Sequence, residues 1–165
     1  MKRGRPPKRT TLEPIVKPMD SGRVGIPEHF AEATGWIQGT EEIGVFLVML
    51  SAGRYRVISA TEADQDPDIV ALKGRLESSS REANSSPLDF EDNSIATLTA
   101  RFVSTDLSAS GTEWRLSLPP LVTHILRIEP KAGNALLLMA GRYIEIWDIE
   151  VYRSSFGKAL DEIIR

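Results

Sequence analysis

The chain has 165 residues, of which 41% are hydrophobic and 26% are charged, and it contains no cysteine. This length suits one compact domain or two small ones, and the lack of cysteine excludes disulfides, thiolate metal sites and cysteine nucleophiles. The longest apolar runs, 45–50 and 135–140, fall well short of the ~20 residues of a membrane span. No apolar segment follows the basic N-terminus, so we expect a soluble cytoplasmic protein without a secretory signal.

The first ten residues are the most basic stretch, with five cations and no acidic residue. Their centre, Arg3-Gly4-Arg5-Pro6, has the pattern of an AT-hook, in which arginines extend along the narrow, electronegative minor groove of A·T-rich DNA. We therefore expect residues 1–11 to be a disordered, DNA-binding tail. Two alternatives remain, a non-specific basic tail and a short targeting signal. The predicted DNA contacts of the tail are Lys2, Arg3, Gly4, Arg5, Pro6, Lys8 and Arg9.

The rest of the chain is acidic. The whole sequence has 20 basic and 23 acidic residues, and five of the basic ones lie in the tail, which leaves 15 basic against 23 acidic residues after it. An acidic body repels the phosphate backbone. Any strong attraction to DNA must therefore come from the tail or from a local patch of the body.

Two sequence blocks occur twice in the same order after the tail. Arg23-Val-Gly-Ile-Pro27 recurs as Arg115-Leu-Ser-Leu-Pro119, and Gly53-Arg54-Tyr55 recurs as Gly141-Arg142-Tyr143. The offsets are 92 and 88 residues. This internal repeat predicts two related halves, 12–77 and 90–165, joined by a polar linker at 78–89.

Each half has the same predicted elements. A short strand (24–26 or 116–118) leads into a helix that begins after Pro27 or Pro119, and in the first half Gly35 ends that helix. The first helix, about 28–34, is expected to turn Phe30, Ala33 and Thr34 inward. A hairpin follows, formed by 43–50 and 54–59 in the first half and by 135–140 and 143–147 in the second.

Helices are also predicted after each hairpin, and a strand before the second copy. Residues 68–77 have Ile69, Leu72 and Leu76 at helical spacing, and Asp148 can cap a C-terminal helix. That last helix has an apolar stripe that needs a surface to cover. The stripe consists of Ile149, Phe156, Leu160, Ile163 and Ile164. Ahead of the second copy, residues 95–103 alternate between apolar and polar residues like a strand.

Four features together resemble a known family: the strand-proline-helix element after Asp20-Ser-Gly-Arg23, the duplication, Arg101-Phe102, and Tyr143-Ile-Glu-Ile-Trp147-Asp148. The chain resembles the MraZ family, the duplicated AbrB-like swapped-hairpin transcription factors, over about residues 12–156. The resemblance implies a bacterial DNA-binding regulator whose halves form one pseudo-symmetric β unit. It also implies assembly into rings over repeated promoter sequences.

The family's basic signature before each strand is only partly present. The first copy lacks its lysine, and the second copy, Gly111-Thr-Glu-Trp-Arg115, keeps only the arginine. A phosphate- or base-contacting role thus carries over to Arg23 and Arg115 alone. The alternative is that both arginines end a strand and pair with local carboxylates.

Other chemistry has little support in the sequence. His29 and His124 occur once per repeat without acidic residues at ligand spacing, and the serine-rich segments lack a neighbouring base. We expect no enzyme activity, no metal and no cofactor. Trp147 is expected to pack under the last helix.

These observations predict a mostly β, α+β protein with two pseudo-symmetric AbrB/MraZ-like swapped-hairpin halves, short helices and a basic tail. The predicted function is sequence-specific DNA binding in transcription regulation, at A·T-rich or promoter repeats. We expect a homo-oligomer associated with the nucleoid and not with a membrane. The alternative is a β-rich self-associating scaffold with only non-specific attraction to DNA.

Overall fold

The computed structural model describes residues 13–39, 41–67, 69–71, 73–75 and 100–157. The tail, the linker at 78–89, and Leu160, Ile163 and Ile164 of the apolar stripe lie outside the described residues. The strands are β1 (Ile15–Asp20), β2 (Arg23–Pro27), β3 (Ile43–Ser51), β4 (Arg54–Ser59), β5 (Phe102–Ser110), β6 (Glu113–Ser117), β7 (Asn134–Ala140) and β8 (Tyr143–Trp147). The helices are α1 (Glu28–Thr34), α2 (Ala60–Gln65), α3 (Pro120–Ile125) and α4 (Ile149–Phe156).

The eight strands form one closed antiparallel barrel in the order β1-β2-β6-β5-β3-β4-β8-β7. The protein is therefore mostly β with short helices, as predicted. Neither half forms a sheet of its own, because β3 pairs with β5 and β1 pairs with β7. Closure leaves none of the described strands with an unpaired edge, which removes the usual route to edge-to-edge association for them.

The pairing of strands is unchanged when the two halves exchange places. Replacing β1 to β4 by β5 to β8, and the reverse, turns every strand pair into an observed strand pair. Two pairs are turned into themselves. We call them the β2–β6 seam, centred on Val24 opposite Leu116, and the β4–β8 seam, centred on Arg56 opposite Glu145. The two seams lie on opposite sides of the barrel, and the order of strand pairing is symmetric about them.

The strand-proline-helix element is confirmed in both halves. Pro27 directly precedes α1 and Pro119 directly precedes α3, each in an extended conformation that starts the helix. Gly35 ends α1 with a φ of 80°, a left-handed conformation that glycine adopts without steric cost. In α1 the buried alanine is Ala31, whereas Ala33, which we expected inward, is half-buried.

The two copies of the Gly-Arg-Tyr block are shifted by one residue from equivalent positions in the barrel. Pairing across the β4–β8 seam matches Arg56 with Glu145, an offset of 89 residues, whereas the Gly-Arg-Tyr strings are 88 apart. One residue of difference turns a side chain to the other face of a strand. Tyr55 therefore lies inside the barrel, fully buried, while Tyr143 lies on the outer face.

Four further elements differ from or extend the predictions. Strand β5 begins at Phe102, residues 100–101 are helical, and positions 95–99 of the predicted strand lie outside the described residues. Helix α2 was not predicted, although Ser59 caps it by accepting a hydrogen bond from the Glu62 N–H and Ser-x-x-Glu is a capping-box pattern. The described residues of 67–75 are helical, as predicted. Asp148 caps α4 as predicted, accepting a hydrogen bond from the Glu150 N–H.

The barrel interior is the core of the protein. Alternate residues of the strands point inward, and side chains from all eight strands fill the space. Helix α4 covers part of the outside through Tyr152 and Phe156, whose rings contact the Trp147 ring, as expected for that tryptophan. None of the described helices has the length and apolar character needed to cross a bilayer. The largest fully buried side chains include Ile26, Phe30, Leu47, Tyr55, Leu107, Leu116, Leu137, Ile144 and Ile146.

Candidate nucleic-acid interface

The β2–β6 seam carries both arginines that the sequence singled out. Buried residues such as Val24 and Leu116 alternate with residues on the outer face, so Arg23 and Arg115 both point outward. Arg23 lies opposite Ser117, and Arg115 lies opposite Gly25. Exchange of the two halves converts one of these pairs into the other. The structure thus brings together two residues that are 92 positions apart in the sequence.

A shallow cleft of about 190 Å³ lies on this face, and both arginines line it. Its other charged residues are Lys17, Asp20 and Glu113, so the cleft contains three cations and two carboxylates. The excess of one positive charge contrasts with the negative net charge of the body. This cleft is therefore a local patch to which a phosphate can bind.

The two carboxylates each contact one cation of the cleft. Arg115 Nη1 lies 3.6 Å from Asp20 Oδ2, and Lys17 Nζ donates to Glu113 Oε2 at 2.5 Å. The side chains of Arg115 and Asp20 are 42% and 70% exposed, so water screens this pair strongly. Arg23 is exposed and has no ion pair within the described part of the chain. Arg115 thus makes the contact with a local carboxylate that the alternative prediction describes, and no such contact of Arg23 occurs among the described residues.

Gly25 leaves room for an ion pair on the floor of the cleft. A Cβ at this position would clash with Glu113 Oε1 and would contact Lys17 Cε at 3.4 Å. The Lys17–Glu113 ion pair therefore lies directly over a bare strand. Lys17 was not among the predicted site residues, because its own sequence context does not distinguish it from other surface lysines. Only the pairing of β1, β2 and β6 places it here.

The β4–β8 seam also has two arginines, but they surround a buried carboxylate. Glu145 is fully buried and accepts hydrogen bonds from Arg54 Nε at 3.0 Å, Arg56 Nη2 at 2.9 Å and Trp147 Nε1 at 3.1 Å. The Arg54 guanidinium lies over the Trp147 ring and that of Arg56 over the Tyr143 ring. Ion pairing and cation–π contact thus use both guanidinium groups within the protein.

The protonation of Glu145 reflects this environment. Burial on its own raises the pKa of the carboxyl, but the hydrogen bonds and charges of Arg54 and Arg56, with the Trp147 N–H, hold the pKa below its ordinary value of 4.5. The carboxylate is therefore ionised at neutral pH and neutralises one of its two arginines. The Glu145-Ile-Trp147 segment, which is part of the sequence resemblance, joins the halves through the hydrogen bonds of Glu145 with Arg54 and Arg56.

The histidines lie on the helices that follow the two strands of the β2–β6 seam. His29 and His124 are exposed on α1 and α3. No group of three or more His, Cys, Asp or Glu side chains suited to a metal ion occurs among the described residues. The tail residues Lys2 to Arg9 lie outside the described part, so their contacts stay a prediction.

Comparison with known proteins gives no match. No family model matches the chain, and no curated protein matches it.

Proposed function

We propose that the protein is a DNA-binding transcription regulator that contacts DNA through the outer face of the β2–β6 seam and through its basic N-terminal tail. The observation that carries this proposal is the exchange-related position of Arg23 and Arg115 on one exposed, cation-rich cleft. Two symmetric cations on a protein surface suit two phosphates related by the local two-fold symmetry of a DNA duplex.

The topology of the barrel agrees with the swapped-hairpin arrangement that the sequence resemblance implies. The β3–β4 hairpin of the first half lies between β5 and β8 of the second, and the β7–β8 hairpin lies between β1 and β4 of the first. Each hairpin is therefore flanked on both sides by strands of the other half. This interleaving supports an AbrB-like or MraZ-like fold, and with it a regulator located at the nucleoid.

The test is a salt series of binding to a duplex. Removing one phosphate contact lowers the log-log salt slope by about 0.9, so we expect that change from Arg23→Ala and again from Arg115→Ala. Arg153→Ala is the matched control, because it removes an exposed arginine from α4, next to the opposite seam. Equal slopes for all three variants and the unchanged protein would exclude the cleft as a DNA contact.

The tail is expected to add a second, sequence-dependent contribution. Its five cations can neutralise at most about five phosphates, a slope of about −4 for duplex DNA, and deletion of residues 1–10 should remove most of that slope. Arg5→Ala should weaken binding to A·T-rich sites more than to mixed sequence, whereas Lys8→Ala should weaken both about equally. The same loss from both substitutions at both kinds of site would make the tail non-specific.

Self-association is part of the proposal, because one tail and one cleft give only a handful of contacts. Phe156 on α4 is 47% exposed, and several other large apolar side chains are also exposed. An oligomer that presents several tails raises avidity by roughly 10² or more at an array of A·T tracts. We expect sedimentation well above 18.3 kDa. A monomer at all concentrations would contradict this part.

One alternative function has specific support. The contacts of Asp20 and Glu113 with cations of the cleft favour a self-associating scaffold with only non-specific attraction to DNA. The same salt series distinguishes the two functions. A scaffold shows no sequence preference with or without the tail, whereas a regulator prefers some sequences in at least the full-length form.

A further inference from the structure

An open groove of about 610 Å³ lies on the first half of the barrel, away from the β2–β6 seam. It separates the end of α1, at Gly35 and Trp36, from the beginning of α2, at Ser59 and Glu62. Arg142 and Tyr143 of the second half line its third side. The volume falls within the range of small-molecule sites.

The equivalent position in the second half is closed by a side chain. Gly35 and Arg127 correspond, because both have a positive φ, 80° and 54°, and both N–H groups donate to the carbonyl three residues earlier at 3.1 Å. Arg127 Nε reaches Asp148 Oδ2 at 2.6 Å, and Asp148 caps α4 as Ser59 caps α2. An arginine bridge thus crosses the second half where the first half has only a glycine.

Two further pairs of equivalent positions are also open at the groove and filled at its counterpart. The offset of 89 residues across the β4–β8 seam matches Glu62 with Val151 and Arg142 with Gly53. At the equivalent place beside the second half, Val151 packs so closely over Gly53 of the first half that a Cβ on Gly53 would meet Val151 Cγ2 at 2.7 Å. In the first half, the same two places hold a carboxylate and a guanidinium. One half is filled by close packing, and the other is open and lined by opposite charges.

The charged groups of the groove are partly available to a ligand. Glu62 Oε1 accepts a hydrogen bond from the Tyr143 hydroxyl at 3.0 Å, which holds the carboxylate in place. Arg142 is exposed and has no ion-pair partner among the residues described. Burial and the Glu62 hydrogen bond raise the pKa of Tyr143, while the Arg142 charge lowers it, so both charges act on the same hydroxyl. The partly buried Trp36 supplies an apolar surface on the opposite side.

We propose that this groove binds a small zwitterion of amino-acid size, with its ammonium group at Glu62, its carboxylate at Arg142 and its apolar part against Trp36. A zwitterion satisfies both charges at once, whereas a simple anion or cation leaves one like charge beside it. The site is independent of the proposed DNA contacts, which lie on the opposite seam. Its occupancy is therefore testable without DNA.

The test uses the full-length protein and the free natural amino acids as probes at millimolar concentration. At least one of them should shift the Trp36 indole N–H signal in NMR spectra, and calorimetry then gives its affinity. Two analogues of that amino acid, one without the ammonium group and one without the carboxylate, should each bind about tenfold more weakly or worse. No response to any amino acid would overturn the proposal.

Three variants locate the binding in this groove. Gly35→Arg introduces the bridge of the second half and should abolish binding, while its matched control, Arg127→Gly, should leave binding unchanged. Arg142→Gln changes an exposed residue that does not support the fold, and it should weaken binding about tenfold even if Gly35→Arg does not fold. Unchanged affinity in Arg142→Gln would overturn the proposal.

Discussion

The two seams of the barrel have similar compositions and different environments. Each carries a pair of arginines on its outer face where the halves meet. At the β4–β8 seam, both guanidinium groups bind the buried carboxylate of Glu145 and lie over aromatic rings. At the β2–β6 seam, Arg23 is exposed and Arg115 has only a screened contact with Asp20 at 3.6 Å. The comparison shows that one buried acid determines whether a pair of arginines stabilises the fold or remains available to a partner.

The largest expected difference between the seams is in stability. Glu145→Gln removes a buried charge that holds two arginines, and breaking such a pair costs about 3 kcal/mol or more. Glu113→Gln is the matched change at the other seam, where the Lys17 and Glu113 side chains are 23% and 39% exposed, and it should cost less than about 1 kcal/mol. Urea unfolding measures both. Similar losses would contradict the proposed division between the seams.

Low pH should destabilise the protein by protonating the Glu145 carboxylate. Because the pKa of Glu145 is lower in the folded state than its ordinary value of 4.5, the carboxylate adds stability above that pH. This stability is lost as the pH falls through the folded pKa. The free energy of unfolding should therefore decrease more steeply below about pH 4.5 in the unchanged protein than in Glu145→Gln. Parallel curves for the two proteins would show that Glu145 does not titrate as proposed.

The two tyrosines of the repeated Gly-Arg-Tyr block, both in the β4–β8 seam, should contribute differently to stability. The buried Tyr55 hydroxyl donates to the Ala100 carbonyl at 2.6 Å, so Tyr55→Phe leaves a buried acceptor unpaired and should cost about 1–2 kcal/mol. Tyr143→Phe removes a partly exposed hydroxyl and should cost less than about 1 kcal/mol. Thermal unfolding of both variants gives the order. The reverse order would place Tyr143, and not Tyr55, inside the barrel.

The smallest expected effect is an increase in DNA affinity. Asp20→Asn removes the carboxylate beside Arg115, and an exposed pair of this kind is worth roughly 0.2–1 kcal/mol. Release of Arg115 and loss of a negative charge should raise the affinity for duplex DNA about twofold at low salt. Fluorescence anisotropy over a salt series is sensitive enough to detect this change. A decrease in affinity would mean that Asp20, and not Arg115, supports the contact with DNA.

The local elements could be predicted from the sequence because they depend on neighbouring residues. Proline after a short strand starts a helix, Gly35 ends one, and Asp148 caps one, and all three act within a few positions of the chain. Helix α2 was missed although Ser59 and Glu62 form its capping pattern. The repetition of the strand-proline element was also readable, since Arg23 to Pro27 and Arg115 to Pro119 occupy equivalent positions in the barrel.

Only the tertiary structure decided how these elements combine. Barrel closure depends on hydrogen bonds between strands far apart in the sequence, such as β4 with β8, and a one-residue shift there placed Tyr55 inside and Tyr143 outside. The same pairing put Glu145 between Arg54 and Arg56, brought Arg23 and Arg115 onto one face, and left the groove at Gly35 open. Sequence patterns report which face of a strand is apolar, but the partner across the sheet sets the electrostatic environment, and that partner is fixed only by folding.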